Sequence, residues 1–220
     1  MARVIAFDVN ETLLDLRPLD PVFDGLFGDS SARAQWFAQM LQVAFVGAIT
    51  DRYVDFTTAQ RAALDMVAQR RGVALPPDAV ERVAATMRAL PAHPDVADAL
   101  ARLRDGGHRL AALSNSPQDV EEAQLAHAGL SDHFDAILSA DTVRALKPRP
   151  EPYELVARTF AVQIDEVTLV AAHAWDVAGA LAAGCRAAFV TRPGMPRNPI
   201  DPEPDLVGAD LGAVADRILA

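Results

Sequence analysis

At 220 residues, 51% of them hydrophobic, the chain can bury a full core as one domain or as a core with a modest insert, and this composition argues against disorder. A net charge of -10 supplies no basic stripe for a phosphate backbone, so nucleic acid is not expected as a partner. Cys185 is the single cysteine, which leaves no disulfide framework or thiolate cluster; with no signal-peptide pattern before Asp8 and no run of ~18 apolar residues, a soluble cytoplasmic protein without membrane contact is expected.

In chain order, "RVIAF" at Arg3 to Phe7 reads as a buried strand that delivers Asp8, with Asn10 two places on and Thr12 in the turn beyond. From Asp15 to about Pro94 the pattern is helical only. Trp36, Phe37, Met40, Leu41 and Ala44 form one apolar stripe, Ala62, Ala63, Met66 and Val67 a second, and Val80, Val83 and Met87 a third. Pro76-Pro77 marks a turn among them, and Pro91 to Pro94 the return. Four more apolar runs follow, "RLAALS" from Arg109, "DAILS" from Asp135, "VTLVAA" from Val167 and "RAAFV" from Arg186, set apart by helical patterns. They lack two-residue alternation, as strands buried on both faces do. After "RLAALSN" a helix is signalled by Ser116 as N-cap, Pro117 in the first turn and Gly129 as stop. The Pro-rich run from Arg192 to Asp205 reads as a surface loop.

This alternation predicts an α/β fold: a Rossmann-like parallel sheet core flanked by helices, residues 1–15 and 94–220, with a helical cap, 16–93, inserted after the first strand. In open parallel sheets ligands bind outside the carboxyl ends of the strands. Asp8, Ser114 with Asn115, Lys147 in "ALKPRPEPY" and Asp176 in "AAHAWD" fall at or just beyond such ends. Each alone has an ordinary reading: a turn cap for Asp8, a local cap for Ser114, a solvated lysine, the first-turn acid of a helix. Their order and placement together point to a site. A lysine near Asp8 would keep that carboxylate ionised and able to displace a leaving group.

The set resembles the haloacid dehalogenase superfamily, and more closely the type II L-2-haloacid dehalogenases. The similarity is carried by Leu113-Ser114-Asn115, by Lys147-Pro148 with Tyr153, by Ala174-Trp175-Asp176 and by "DRYVDF" at Asp51 to Phe56. It implies hydrolysis of a short 2-haloalkanoic acid, a small-molecule substrate, through an ester on Asp8, with Lys147 and Thr12 supporting the nucleophile and Asp176 activating water. It implies no cofactor and no metal, and members are often homodimers. Ser114 would hold the substrate carboxylate and Asn115 would donate to the halide. Tyr153 is either part of the Asp176 and Lys147 network or a packed aromatic; Trp175 and Phe56 are pocket walls or core.

The chain departs from that family at three places. Asn10 stands where the dehalogenases have Tyr and where superfamily phosphatases have an acid that protonates a leaving alkoxide. A halide leaves without a proton, so Asn10 counts against a phosphatase. Phe37 occupies the position of a substrate-binding cap arginine, and "AAHAWD" replaces "SSNAWD", which gives His173 the chance to supply a hydrogen bond and positive charge in the substrate pocket. His93, His108, His127 and His133 read as loop or surface residues. The competing expectations are a magnesium-dependent phosphatase for small esters and, from another class, a binding protein that has lost catalysis.

Overall fold

The computed structural model describes residues 3–220. Among them, six parallel strands form one sheet in the order β3-β2-β1-β4-β5-β6: β1 Val4–Phe7, β2 Arg109–Ser114, β3 Ala136–Ser139, β4 Val167–Ala171, β5 Arg186–Val190 and β6 Leu206–Gly208. Phe7 pairs with Ala112 on one side and Val170 on the other, so Asp8, the end of β2 and the end of β4 lie level along one rim. This is also where the strand order reverses, the crevice position of doubly wound sheets.

Side chains on a strand alternate between faces, and both faces here are covered. Ile5 and Phe7 join one apolar cluster with helices α5 Val96–Asp105 and α9 Leu211–Leu219. Val4 and Ala6 join the other with α7 Pro150–Phe160 and α8 Ala174–Ala182. The continuous apolar runs of the sequence have this two-sided burial as their cause.

Between β1 and α5 lie α1 Asp20–Phe27, α2 Ala32–Ile49, α3 Phe56–Arg71 and α4 Ala79–Arg88. Their buried faces extend the first cluster without a break, through Phe23, Trp36, Met40, Leu64, Val67, Val83 and Met87. Trp36 is fully buried, and its indole N–H donates to Gln60 O at 3.0 Å, tying α2 to α3. Asp55 caps α3 by accepting from the Thr58 N–H at 2.9 Å.

Two expectations are corrected. The buried stripe of α3 is Ala59, Ala63, Leu64, Val67 and Ala68, while Met66 is exposed, because the helix turns its face toward α2 rather than toward the run read from the sequence. Helix α6, Gln118–His127, has Pro117 at its N-cap; Ser116 is buried before it, its hydroxyl accepting from Asn10 Nδ2 at 3.4 Å. The Pro-rich run is a surface loop as expected, except that its first residue, Arg192, is buried, and it ends against a short edge strand, β6. No helix among the described residues is long and apolar enough to cross a membrane.

Candidate active site

Asp8 leaves the end of β1 at the sheet rim, buried, with both carboxylate oxygens engaged. Lys147 Nζ donates to its Oδ1 at 2.9 Å, and Thr12 Oγ1 donates to Oδ2 at 2.6 Å. His173 Nδ1 lies 3.0 Å from the same Oδ2. The turn that carries Thr12 is fixed from outside: Ala172 N–H donates to Thr12 Oγ1 at 2.9 Å, and the Arg192 guanidinium donates to Thr12 O at 2.9 and 3.1 Å. Arg192 in turn pairs with Asp95 at 2.8 Å.

Lys147 is as deeply buried as any core residue, and its three donors are all used. Besides Asp8 they reach Asp176 Oδ2 at 2.5 Å and Leu113 O at 2.9 Å. Its ammonium also stands 5.9 Å from the centre of the Trp175 ring. Asn115 fixes the lysine's backbone, accepting from Lys147 N–H at 2.8 Å and donating to Lys147 O at 3.1 Å. Tyr153 donates to Asp176 Oδ1 at 2.6 Å. That approach depends on Gly179: a Cβ there would lie 2.7 Å from the Tyr153 hydroxyl and 2.5 Å from Pro148 Cβ.

Burial disfavours every charge in this cluster, and the neighbours decide the outcome. For Asp8, burial pushes the carboxyl up, but Lys147 and His173 together hold it well below its ordinary value. Burial would lower Lys147; Asp176 and Asp8 carry it above its usual range. Asp176, fully buried and close to Asp8, is raised in spite of Lys147. For His173, burial works downward, yet hydrogen bonds to Asp8 and Glu11 bring it up to about 9. The resting site thus holds an ionised Asp8 between an ammonium and an imidazolium.

Glu11 is the residue the sequence did not reveal. It sits at positive φ, 63°, in the turn after β1, and its Oε2 lies 3.0 Å from His173 Nε2. Arg33 of α2 stands 3.5 Å from its other oxygen. Charges therefore alternate from α2 to the sheet rim: Arg33, Glu11, His173, Asp8, Lys147, Asp176. His93 is half-buried rather than superficial, with Nε2 3.3 Å from Glu11 O.

The His173 ring is held between two others, Phe37 at 5.8 Å and Trp175 at 5.2 Å between centroids, both stacked. These three rings, with Leu41, Met195 and Glu11, line a cavity of about 260 Å³ between α2 and the sheet rim. His173 is the polar side chain of the cavity wall that reaches Asp8 behind it.

Other expected site residues are placed differently. Ser114 Oγ accepts from Ser116 N–H at 2.9 Å, and Ser114 is buried away from the cavity wall. The Asn115 amide is a clamp on Lys147, which accounts for its carbonyl and one amide proton. Asn10 is turned toward α6, accepting from Gln124 Nε2 at 3.1 Å. Phe56 packs in the apolar cluster of the helices and is not part of the cavity wall.

The family model for haloacid dehalogenase-like hydrolases matches residues 2–184. The chain belongs to this family. Among haloacid dehalogenase-like relatives, it is 31% identical to the (S)-2-haloacid dehalogenase of Pseudomonas sp. strain YL, over 96% of this chain and 92% of that one. It is 28% identical to haloacetate dehalogenase H-2 of Moraxella sp. strain B, over 98% and 97%. The L-2-haloacid dehalogenase of Xanthobacter autotrophicus, solved with chloropropionic acid covalently bound, superposes with a TM-score of 0.91 at 28% identity, covering 99% of this chain and 98% of that one.

Proposed function

We propose that this hydrolase cleaves the carbon–halogen bond of short 2-haloalkanoic acids, of the haloacetate or 2-halopropionate class, through a covalent ester on Asp8. The observation that carries the reading is the setting of Asp8: a carboxylate at a strand end, hydrogen-bonded by Lys147, Thr12 and His173 beside a small aromatic-walled cavity. Relatives named for the same reaction, and one solved with chloropropionic acid covalently bound, support it.

In this reading Asp8 attacks C2 and halide departs with the bonding pair. Lys147 keeps Asp8 ionised, Thr12 aims it, and Asp176 with Tyr153 holds Lys147. The His173 imidazolium draws the substrate carboxylate into the cavity, the task for which Phe37 has no charge. Phe37 and Trp175 form the apolar walls. At about 260 Å³ the cavity suits a short acid, since drug-sized ligands use ~300–1,000 Å³.

No metal is assigned. Mg²⁺ needs several free hard oxygens, whereas Asp8 is engaged by Lys147, Thr12 and His173, and both oxygens of Asp176 by Lys147 and Tyr153. A phosphatase also wants an acid two places after Asp8, and Asn10 is neutral and bonded to Gln124. A cytoplasmic location agrees with a chain whose single cysteine, Cys185, is buried and can form no disulfide within it. A homodimer is supported by the exposed Val46, Ile49 and Met66 on α2 and α3.

The test is halide release from chloroacetate, bromoacetate, fluoroacetate and 2-chloropropionate, with Asp8→Asn as control. Release that Asp8→Asn abolishes is expected. No release from any of them, with Mg²⁺-dependent turnover of a phosphoester, would give the site to the phosphatase reading.

A further inference from the structure

We infer that this enzyme takes 2-haloalkanoic acids carrying a second, distal carboxylate, and that Arg33 binds that carboxylate in a pocket beside the aromatic-walled cavity; this rests on the ester chemistry proposed above. The pocket, of about 160 Å³, lies between the turn after β1, the start of α2 and the loop after β5, with Arg17, Arg33, Arg192, His93, Glu11 and Asp15 on its walls. It meets the aromatic-walled cavity at Glu11 and Met195, which stand on the walls of both.

Helix geometry places Arg33 there. Residues four apart share one face of a helix, so α2 sets Phe37 on the wall of the cavity and Arg33, one turn earlier, on the wall of the pocket. From that position Arg33 cannot hold the carboxylate next to C2. The His173 imidazole and the Glu11 carboxylate stand between it and Asp8, in successive contacts of 3.0, 3.0 and 3.5 Å. Its reach is to the far end of a longer substrate, separated from C2 by several methylenes.

Of the three guanidiniums on the pocket wall, Arg33 has donors to spare. Arg192 uses Nε and Nη2 on Thr12 O and Nη1 on Asp95. Arg17 is turned onto Asp15 through Nε and Nη2, and its side chain is 74% exposed. In Arg33 only Nε is hydrogen-bonded among the described residues, to Asp20 at 2.5 Å; Nη1 makes a 3.5 Å ion-pair contact with Glu11 Oε1, and Nη2 has no partner there. With Nε fixed, the two Nη groups form the end-on fork that matches a carboxylate. The side chain is 19% exposed, so the fork is held and still open to the pocket. An incoming carboxylate replaces the long contact of Glu11, which keeps its other oxygen on His173 at 3.0 Å. The chemistry at C2 is unaltered: the haloacid and water give the 2-hydroxy dicarboxylic acid, halide and one proton.

The experiment is initial halide release, above the enzyme-free rate, from 2-bromoadipate and 2-bromoglutarate against 2-bromohexanoate and 2-bromovalerate, monoacids of the same carbon count, with wild type, Arg33→Gln and Arg33→Lys. Adipate and hexanoate, as competitive inhibitors of 2-chloropropionate turnover, give a separate reading of binding. Wild type should favour each diacid over its monoacid in kcat/KM by at least ~10-fold, the scale of a charged hydrogen bond, and adipate should bind more tightly than hexanoate by a similar factor. Arg33→Gln should bring both ratios toward parity, chiefly through KM, with Arg33→Lys between. A merely structural role would lower monoacid and diacid turnover in parallel. Wild type with no preference for diacids, or ratios that Arg33→Gln leaves unmoved, overturns the inference while halide release from chloroacetate keeps the Asp8 ester intact; the wild-type ratios and Arg33→Lys decide it should Arg33→Gln fail to fold. No halide from any of these acids or from chloroacetate overturns the proposed function, and this role with it.

Discussion

Asn115→Ala separates a clamp from a halide ligand. The Asn115 carboxamide meets both the N–H and the C=O of Lys147, at 2.8 and 3.1 Å, where the lysine is 1% exposed. The substitution leaves two buried backbone groups without partners. Each such group costs ~1–3 kcal/mol, so about 3 kcal/mol is lost at the lower-middle of the combined range. For a chain of 220 residues, at roughly 2–4 °C per kcal/mol, Tm falls by about 6–12 °C. Because the same backbone sets the lysine's reach to Asp8 and Asp176, kcat for halide release falls with it. Thermal unfolding by circular dichroism and a halide assay on the same preparation read both. An unchanged Tm with lost activity would refute the clamp and return Asn115 to the halide.

Two further outcomes follow from the same contacts. His173 is raised to about 9 in the folded protein, against ~6.5 when unfolded, so its stabilising contribution is full below ~6.5 and is lost as pH climbs to about 9. Denaturant midpoints should therefore show the advantage of wild type over His173→Gln shrinking across that window, with His93 and His108 common to both; a constant difference would deny the ion pairs. Gly179→Ala puts a Cβ 2.7 Å from the Tyr153 hydroxyl and 2.5 Å from Pro148 Cβ, and overpacking of this kind costs ~1–3 kcal/mol. Tyr153 is pushed off Asp176, and both Tm and turnover drop; a silent substitution would show that this contact can yield freely.

The strands were legible because parallel strands buried on both faces leave uninterrupted apolar runs, and the residue that ends such a run points at the rim. Asp8 was found that way, Lys147 and Asp176 by lying just beyond such ends, Thr12 by its place in the turn after Asp8, and Tyr153 by the resemblance carried by "ALKPRPEPY". β6 was not, since Leu206–Gly208 is three residues of an edge strand, only partly covered, behind a Pro-rich run. Glu11 and Arg192 were missed for another reason. Their roles are contacts between residues 162 and 180 positions apart, and neither lies on a periodic element. Ser116 before Pro117 has the composition of a helix cap, but its hydroxyl is used by Asn10, a competition that local sequence does not display. Asn115 shows the limit of motif reading: its identity was informative and its partner was not.

Whether Asp8 becomes the ester is tested most directly by a single turnover of excess enzyme with chloroacetate in H₂¹⁸O. Water that attacks the ester carbonyl leaves its oxygen in the Asp8 carboxylate, and the hydroxy acid takes its oxygen from the unlabelled aspartate. ¹⁸O is expected in the peptide containing Asp8, with an unlabelled product. Labelled product with an unlabelled Asp8 peptide would mean that water attacks the substrate directly, and would contradict it.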